Sequence, residues 1–410
     1  MSSHKDTNRS HPPKIGISIG DINGVGPEIV IKALADNRIT SQFTPVVYGS
    51  SKVLSFYKKK VRRDDFQLHN IKDASHAAQK KVNVINCWEE TAEITPGKQT
   101  EIGGKCAFTA LERAVADLLN GTIDALVTAP INKHNIQSKD FDFPGHTEYL
   151  QAKDGKDDCV MTLCDQGLRV GVVTGHMPIA EVPSKITAEA LRSKIDIMLA
   201  SLRLDFGINK PKLAVLGLNP HAGENGILGQ EEIDVIKPVI KEYKRKGELV
   251  IGPYPADGFF GSSQFRKFDG ILAMYHDQGL IPFKALAFET GVNYTSGLSF
   301  VRTSPDHGTA YDIAGKGIAD ETSMREAIYM AIDVVKNRLE APKPKPKKAP
   351  VEERKIAEAM QDESQDFPLE KVEGETIEDV EKKDKRPPRR ENKPYRKHDK
   401  KNNGNKNQEK

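Results

Sequence analysis

Short apolar runs alternate with longer amphipathic stretches along the first 340 residues of the chain. Runs of this length, rich in β-branched residues and bounded by turn residues, are typical of β-strands. Several are apolar throughout rather than alternating, which indicates strands buried on both faces of a sheet. The runs that we predict as strands are Lys14–Ile19, Thr44–Tyr48, Ala125–Thr128, Arg169–Val173, Lys212–Leu216 and Gly270–Tyr275.

The stretches between these runs have the spacing of amphipathic helices. In Cys106–Leu119 the apolar residues recur three and four positions apart, so they share one side of a helix. Glu231–Lys244 and Met324–Leu339 have the same pattern, and a further helix begins at Pro27 after the first strand. Strands that alternate with helices predict an α/β sandwich.

The composition of the chain changes after Leu339. The segment EAPKPKPKKAP cannot continue a helix, residues 351–380 hold 3 basic and 11 acidic residues, and residues 381–410 hold 13 basic and 5 acidic ones. Such segments bury too little apolar surface to offset the entropy lost on ordering. We therefore predict a disordered leader at 1–13, a folded domain at 14–340 and a disordered charged tail at 341–410.

The tail carries the positive charge of the chain. Residues 341–410 contain 20 Lys/Arg and 16 Asp/Glu, whereas the whole chain has a formal net charge of +3, so the folded part is nearly neutral. The basic end is expected to contact RNA only weakly, through phosphates. The alternative is a solubilising tail with no part in the chemistry, since aromatic stacking residues are nearly absent from it.

Cysteines and apolar runs exclude several classes of protein. Cys87, Cys106, Cys159 and Cys164 have neither metal-finger spacing nor the pattern of a disulfide framework, which fits a reducing cytoplasm. No apolar run reaches the ~18 residues of a membrane span. The polar N-terminus lacks the apolar segment of a secretory signal.

Histidines follow three of the apolar runs. RVGVVTGHMP, KLAVLGLNPHAGENG and GILAMYHDQG place His176, His221 and His276 just beyond predicted strands. The carboxyl ends of strands form the ligand crevice of α/β sheets, and three neutral imidazoles with open positions suit a catalytic divalent metal. Each histidine is alternatively a hydrogen-bonded loop residue. The neighbouring glycines and prolines favour tight turns around a ligand, but the spacing alone leaves both interpretations open.

Two further loops carry groups suited to anions. ISIGDINGVGPEIVIKAL is a strand, a Gly-rich turn and a helix whose first N–H groups would suit an anion. It is neither a P-loop nor the dinucleotide fingerprint. FPGHTEYL places His146 and Thr147 at a helix start, where they suit a phosphate or carboxylate, and simple capping with Glu148 in the first turn is the alternative.

Together these loops resemble one family, the 4-hydroxythreonine-4-phosphate dehydrogenases of pyridoxal phosphate biosynthesis. The matching stretches run in order from about Lys14 to Asp320: GDINGVGPE, PGHTEYL, TGHMP, GLNPHAGENGILGQEE, GPYPADGFF, MYHDQGLIPFK and VRTSPDHGTAYDIAGKG. One departure is Ile22–Asn23, where many members have Pro-Ala. The charged tail lies outside the family pattern.

The resemblance implies the α/β/α sandwich of isocitrate and isopropylmalate dehydrogenases, with two subdomains, the middle one at roughly 136–269, and a cleft between them. It implies a homodimer with each active site at the subunit interface. It also implies NAD or NADP as cofactor, held by a loop like DHGTAYDIAGKG. The cofactor contacts that it assigns are His307, Gly308, Thr309 and Asp312.

The same resemblance implies the ligands of the site. One divalent metal (zinc, cobalt or magnesium) is expected on His176, His221 and His276. The expected substrate contacts are His146, Thr147, Lys284, Asn293 and Arg302. The candidates for catalytic or supporting roles are Lys284, Asp257 and Asp277.

The reaction implied is NAD(P)-dependent oxidation of 4-phosphooxy-L-threonine, a small phosphorylated hydroxy amino acid. The resulting β-keto acid would lose carbon dioxide to give 3-amino-2-oxopropyl phosphate. A sister dehydrogenase of 4-phosphoerythronate or a phosphothreonate is the nearest alternative. An RNA-binding protein that uses its tail, on a dehydrogenase scaffold, is the alternative of another class.

Overall fold

The computed structural model describes residues 12–341, which form a twelve-stranded sheet flanked by helices. The strands are β1 Lys14–Ser18, β2 Thr44–Gly49, β3 Leu68–Ile71, β4 Val82–Asn86, β5 Ala125–Thr128, β6 Val160–Asp165, β7 Leu168–Val172, β8 Lys212–Leu216, β9 Leu249–Tyr254, β10 Gly270–Ala273, β11 Val292–Ser296 and β12 Val301–Pro305. The helices are α1 Gly26–Leu34, α2 Asn37–Thr40, α3 Ser51–Lys60, α4 Glu101–Leu119, α5 His146–Asp154, α6 Val182–Lys185, α7 Ala188–Leu204, α8 Lys237–Arg245, α9 Ala256–Gly261, α10 His276–Ala287 and α11 Thr322–Glu340. Short 3₁₀ and π turns complete the secondary structure.

The strands follow the order β3-β4-β2-β1-β5-β12-β11-β6-β7-β10-β8-β9 across the sheet. Pairing is parallel except around β11 and β6, where β11 runs antiparallel to both β12 and β6, and β6 runs antiparallel to β7. The parallel strands on the two sides of β11 and β6 therefore run in opposite directions and end at opposite edges of the sheet. Within each group, the loops that follow neighbouring parallel strands meet at the same edge.

Successive residues of one strand enter different cores, which shows that helices cover both faces of the sheet. On β8, Leu213 and Val215 pack into the core around α7 and α8, whereas Ala214 packs into the core around α9 and α10. Such strands read as continuous apolar runs because neither face meets water. The predicted fold class, an α/β sandwich, is confirmed.

The predicted elements agree with the structure in position and differ at their ends. Strands Ala125–Thr128 and Lys212–Leu216 match at both ends. The helix predicted from Cys106 begins five residues earlier, because the Thr100 hydroxyl caps it by accepting from the Gly103 N–H at 3.1 Å.

The last predicted strand is shorter than expected. It ends at Ala273, and His276 begins α10, so Lys284 lies on a helix. The expectation of an open anion site in the Gly-rich turn is also wrong. Residues 15–31 are buried, and the Val25 N–H donates to the Thr309 carbonyl at 2.9 Å.

Several expectations fall on residues outside the described range. Residues 1–11 of the predicted leader and the tail after residue 341 lie outside this range. The expected RNA contact lies in that tail, so all of these stay predictions. The subdomain boundaries at 136 and 269 also stay predictions.

The four cysteines are unpaired. Among residues 12–341, no helix is both long and apolar enough to cross a membrane.

A buried ion pair fastens the last helix to the C-terminal end of α7. The Arg338 Nε of α11 donates to Asp205 Oδ1 at 2.6 Å, and the Asp205 side chain is only 2% exposed. The Arg338 guanidinium also donates to the carbonyl oxygens of Leu298 and Ser299. The Asn337 Nδ2 adds a further contact by donating to the Asp205 carbonyl at 2.7 Å, so two neighbouring side chains hold the C-terminal end of α11.

We expect Arg338→Met to lower the free energy of unfolding by about 3–5 kcal/mol, because it leaves the Asp205 carboxylate buried without its cation. Urea unfolding at equal protein concentration measures the loss. Lys336→Met, at an exposed position of the same helix, is the matched control and should change stability by less than ~0.5 kcal/mol. Equal stability of the two variants would contradict the prediction.

Candidate functional site

A cavity of about 310 Å³ opens near the middle of the sheet, lined by residues of β5, β6, β11 and β12 and of the segments that follow β7 and β10. Its volume is in the range of small-ligand sites. Nine of the residues predicted for metal, substrate or cofactor line it: His146, Thr147, His176, His276, Lys284, Asn293, Arg302, His307 and Gly308. These come from seven separate segments, so the tertiary fold brings together what the sequence spreads over 160 positions.

Arg302 is the most deeply buried charge of the cavity. Its side chain projects from β12 and is 2% exposed. Its hydrogen-bond partners are two hydroxyls, Thr128 Oγ1 at 2.7 and 3.2 Å and Thr295 Oγ1 at 3.3 Å. Burial lowers the pKa of Arg302 to about 10, with Glu148 opposing the shift, so the guanidinium stays charged at neutral pH. A buried cation that meets only hydroxyls favours binding of an anion.

Two further polar groups of the cavity lack a partner. The buried atoms His146 Nε2 and Asn293 Oδ1 make no hydrogen bond with any described residue. Burial, together with Arg302 and Lys133, holds the pKa of His146 well below its ordinary value, so the imidazole is neutral. A ligand with both acceptors and donors would satisfy these atoms, because orphaned buried polar groups are costly.

Lys284 and Asp306 form an ion pair at the wall of the cavity. The Lys284 Nζ lies 3.3 Å from Asp306 Oδ2, and the Asp306 side chain is 15% exposed. Burial raises the pKa of Asp306, although Lys284 opposes the shift. Asp306 was not among the site residues that we predicted from the sequence. It is the first residue of the DHGTAYDIAGKG stretch, so it connects the substrate residues to the predicted cofactor loop.

The backbone explains why His176 and His276 meet. Strands β7 and β10 are parallel neighbours, with Val172 opposite Ala273. Their pairing continues past the strand ends, since the Thr174 N–H donates to the Met274 carbonyl at 3.1 Å. Each histidine follows two residues later, and the ring centroids lie 5.3 Å apart.

Neighbouring groups prepare these two rings to bind a cation. His276 Nδ1 lies 2.7 Å from Asp277 Oδ1, a contact that orients the ring and fits the supporting role expected of Asp277. Partial burial, Lys133 and His276 lower the pKa of His176, which favours the neutral imidazole. The two rings therefore fit a metal, although no group of three His, Cys, Asp or Glu within residues 12–341 of one chain can hold one.

His221 and Asp257 are not brought to the cavity within one chain. His221 follows β8, the other neighbour of β10, but it is exposed on the Pro220–Gly226 segment. Six successive residues there, 221–226, have positive φ. Glu232 holds the start of this segment by accepting from the N–H groups of Leu218 and Asn219 at 2.7 and 2.8 Å. Asp257 is exposed at the start of α9.

The predicted cofactor loop is fastened to α1. The Glu28 carboxylate is fully buried and accepts from the Ala319 N–H at 2.9 Å. Lys32 pairs with Glu28 at 3.1 Å and donates to the Gly317 carbonyl at 3.0 Å. Within the loop, Thr309 is half-buried against the Gly-rich turn.

Three predicted cofactor residues of this loop face solvent, namely His307, Gly308 and Asp312. A Cβ on Gly24 would stand 2.9 Å from the Thr309 carbonyl oxygen, so glycine is needed for this close approach. The Tyr311 hydroxyl donates to Asp21 Oδ2 at 2.7 Å. The loop is thus held at its base while its outer residues stay accessible.

A family model described as "Pyridoxal phosphate biosynthetic protein PdxA" matches residues 41–331. A 4-hydroxythreonine-4-phosphate dehydrogenase of Bacteroides thetaiotaomicron is 51% identical over 327 residues, which cover 79% of this chain and 89% of the relative. A protein of Oceanobacillus iheyensis named putative D-threonate 4-phosphate dehydrogenase is 40% identical over 79% of this chain and 98% of its own.

Solved structures agree with these relatives. A 4-hydroxythreonine-4-phosphate dehydrogenase from Klebsiella pneumoniae is 35% identical, covers 80% of this chain and 99% of its own, and superposes with a TM-score of 0.71. The corresponding protein from Burkholderia phymatum is 40% identical, covers 79% and 99%, and has a TM-score of 0.67. The fold of the described residues is therefore shared with these enzymes.

We expect Arg302→Met to fold at least as stably as the parent chain, because replacing a buried unpaired cation by an apolar side chain is often neutral or stabilising. The same change should abolish the rise in melting temperature that inorganic phosphate produces. Thermal unfolding with and without phosphate measures both effects. Arg169→Met, outside the cavity, should keep the phosphate effect. Loss of the effect in both variants, or in neither, would contradict the assignment.

Proposed function

The chain belongs to the PdxA family of pyridoxal phosphate biosynthetic proteins, and we propose that it is a dehydrogenase of 4-hydroxythreonine 4-phosphate. The reaction is oxidation of the substrate hydroxyl with NAD or NADP, followed by loss of carbon dioxide to give 3-amino-2-oxopropyl phosphate. The observation that carries the proposal is Arg302, a buried cation without a carboxylate partner, in the same cavity as His176 and His276. The four unpaired cysteines agree with a cytoplasmic enzyme.

The cavity residues match the charges of this substrate. Arg302 and Lys284 provide two cations for a phosphate and a carboxylate. The neutral His146 ring and the Asn293 amide, whose buried atoms lack partners, supply further hydrogen bonds. Binding two anionic groups at fixed points orients the carbon that carries the hydroxyl.

His176 and His276 would hold a divalent metal, and imidazole ligands suit zinc or cobalt, with magnesium possible where the substrate supplies oxygens. The metal would polarise the substrate hydroxyl and bound nicotinamide would accept the hydride. Asp277 keeps the His276 ring in one orientation through the Nδ1 hydrogen bond.

Lys284 is the residue that we assign to proton transfer. Its Nζ lies 3.3 Å from Asp306 Oδ2, and we propose that it gives a proton to the carbon from which carbon dioxide leaves. The pair lines the same cavity as Arg302, and Asp306 begins the loop expected to hold the cofactor.

We further propose that the third metal ligand is His221 of a second copy of the chain. Within residues 12–341 no group of three His, Cys, Asp or Glu side chains can hold a metal, whereas catalytic sites of this type use three protein ligands. His221 is exposed beside two exposed apolar residues, Ile227 and Leu228, at 80% and 43%. Left-handed backbone costs roughly 1–2 kcal/mol per residue, and packing against a partner would stabilise such a segment.

The activity is tested by incubating the purified full-length chain with 4-phosphooxy-L-threonine and NAD, and then with NADP. We expect reduced cofactor and 3-amino-2-oxopropyl phosphate in equal amounts. The variant Lys284→Met, which removes the positive charge, should lower kcat/KM at least about 100-fold, because it removes both a charge-assisted contact and a proton donor. A parent chain that turns over only threonate or erythronate 4-phosphate would identify the sister activity instead.

The shared site is tested by mixing two inactive variants, His221→Ala and His276→Ala, under conditions that exchange subunits. If His221 crosses to the partner, each mixed dimer contains one site with all three histidines, and about half of the parent activity per mixed dimer returns. If all three ligands belonged to one chain, every site would lack a histidine and the mixture would stay inactive. Mixing His176→Ala with His276→Ala is the control and should restore nothing.

A further inference from the structure

The Asp21 carboxylate is a buried junction that connects the Gly-rich turn to other segments of the chain. Its side chain is fully buried, and it accepts from the Tyr311 hydroxyl and the Asn135 Nδ2, both at 2.7 Å. It also accepts from the Asn23 N–H at 2.8 Å. A Cβ on Gly103, in the first turn of α4, would stand 2.8 Å from Asp21 Oδ1. The carboxylate therefore lies at the positive end of that helix, which stabilises an anion.

Two contacts connect Asp21 to the wall of the cavity. Asn135 lies on the segment that follows β5, and Pro130 and Lys133 of that segment line the cavity. The Asp21 N–H donates to the Pro130 carbonyl at 3.0 Å. Because both its backbone and its side chain are bonded to this segment, the carboxylate has a fixed position relative to the cavity.

Tyr311 connects this fixed point to the predicted cofactor loop. It is half-buried and lies between two of the predicted cofactor contacts, Thr309 and the exposed Asp312. Burial and the Asp21 carboxylate raise the pKa of Tyr311, so the hydroxyl keeps its proton and donates. A hydrogen bond to a charged acceptor is stronger than one between neutral groups. Together with the Val25 N–H, which donates to the Thr309 carbonyl, this bond holds the middle of the loop.

We propose that Tyr311 is a positioning residue for the nicotinamide cofactor and acts through its hydrogen bond to Asp21. The bond keeps the loop in its binding conformation beside the cavity before the cofactor arrives. A loop that is displaced for part of the time binds with an affinity reduced by that fraction, so holding it in advance strengthens binding. The inference rests on the proposed function, which supplies the cofactor as the occupant of the loop.

The first test measures amide hydrogen exchange in the full-length chain without cofactor. We expect Tyr311→Phe to speed exchange within residues 306–317 about 10-fold, because losing a hydrogen bond to a carboxylate favours local opening. Tyr243→Phe is the matched control, since the Tyr243 hydroxyl also donates to an aspartate at 2.7 Å, Asp196 of α7, and does not line the cavity. It should leave exchange within 306–317 unchanged. Unchanged exchange in Tyr311→Phe, or the same acceleration in the control, would overturn the proposal.

The second test measures calorimetric binding of NAD and of NADP, followed by steady-state kinetics with the cofactor that the parent chain binds more tightly. We expect Tyr311→Phe to raise both Kd and KM for that cofactor about 3-fold to 10-fold. The KM for 4-phosphooxy-L-threonine and kcat should change by less than about 2-fold, because the hydroxyl touches neither the substrate nor the reacting atoms. Equal changes in the two KM values, or a similar loss of cofactor affinity in Tyr243→Phe, would overturn the proposal.

Cofactor binding separates this inference from the proposed function. If the parent chain bound the cofactor but turned over no 4-phosphooxy-L-threonine, the proposed function would fail, whereas weaker cofactor binding by Tyr311→Phe would still support the role of Tyr311. Normal turnover by the parent chain, with unchanged cofactor binding in Tyr311→Phe, would overturn the inference and leave the proposed function in place.

Discussion

The candidate site depends on a guanidinium buried at the centre of a sheet. Arg302 lies on β12 between β5 and β11, and the neighbouring strands offer it only the Thr128 and Thr295 hydroxyls. An ion removed from water costs several kcal/mol unless an opposite charge meets it. The fold tolerates this desolvation cost at Arg302, and an anion that binds in the cavity offsets it. Stability and ligand binding therefore oppose each other at this residue.

The rest of the cavity is built around that cation by two kinds of connection. Parallel pairing brings the segments after β7 and β10 to one edge, which places His176 beside His276. The buried Glu28 and its partner Lys32 hold the predicted cofactor loop against α1. Substrate residues thus sit on strands and helix ends, which are rigid, while the loop beside them is fixed only at its base.

The incomplete histidine set suggests why the site would need two chains. A loop that carries His221 in left-handed backbone, next to exposed Ile227 and Leu228, is poorly supported by its own chain. If a second copy covers it, assembly stabilises the segment and completes the metal ligands in one step. Activity would then depend on the concentration of dimer, which links catalysis to assembly.

The fold class could be predicted from the sequence, because apolar runs of strand length are local patterns, and nine of the residues that line the cavity could be predicted from the loops and their resemblance to one family. Strand β8 and the histidine after β10 are examples. Boundaries were less accurate: Thr100 caps α4 and lengthens it, and the strand predicted to reach Tyr275 ends at Ala273, after which α10 begins at His276. The sequence by itself determined which residue types follow the strands. Only the tertiary structure decided that Arg302 lacks a carboxylate, that Asp306 pairs with Lys284, and that His221 stays apart, because each depends on contacts between residues far apart in the chain.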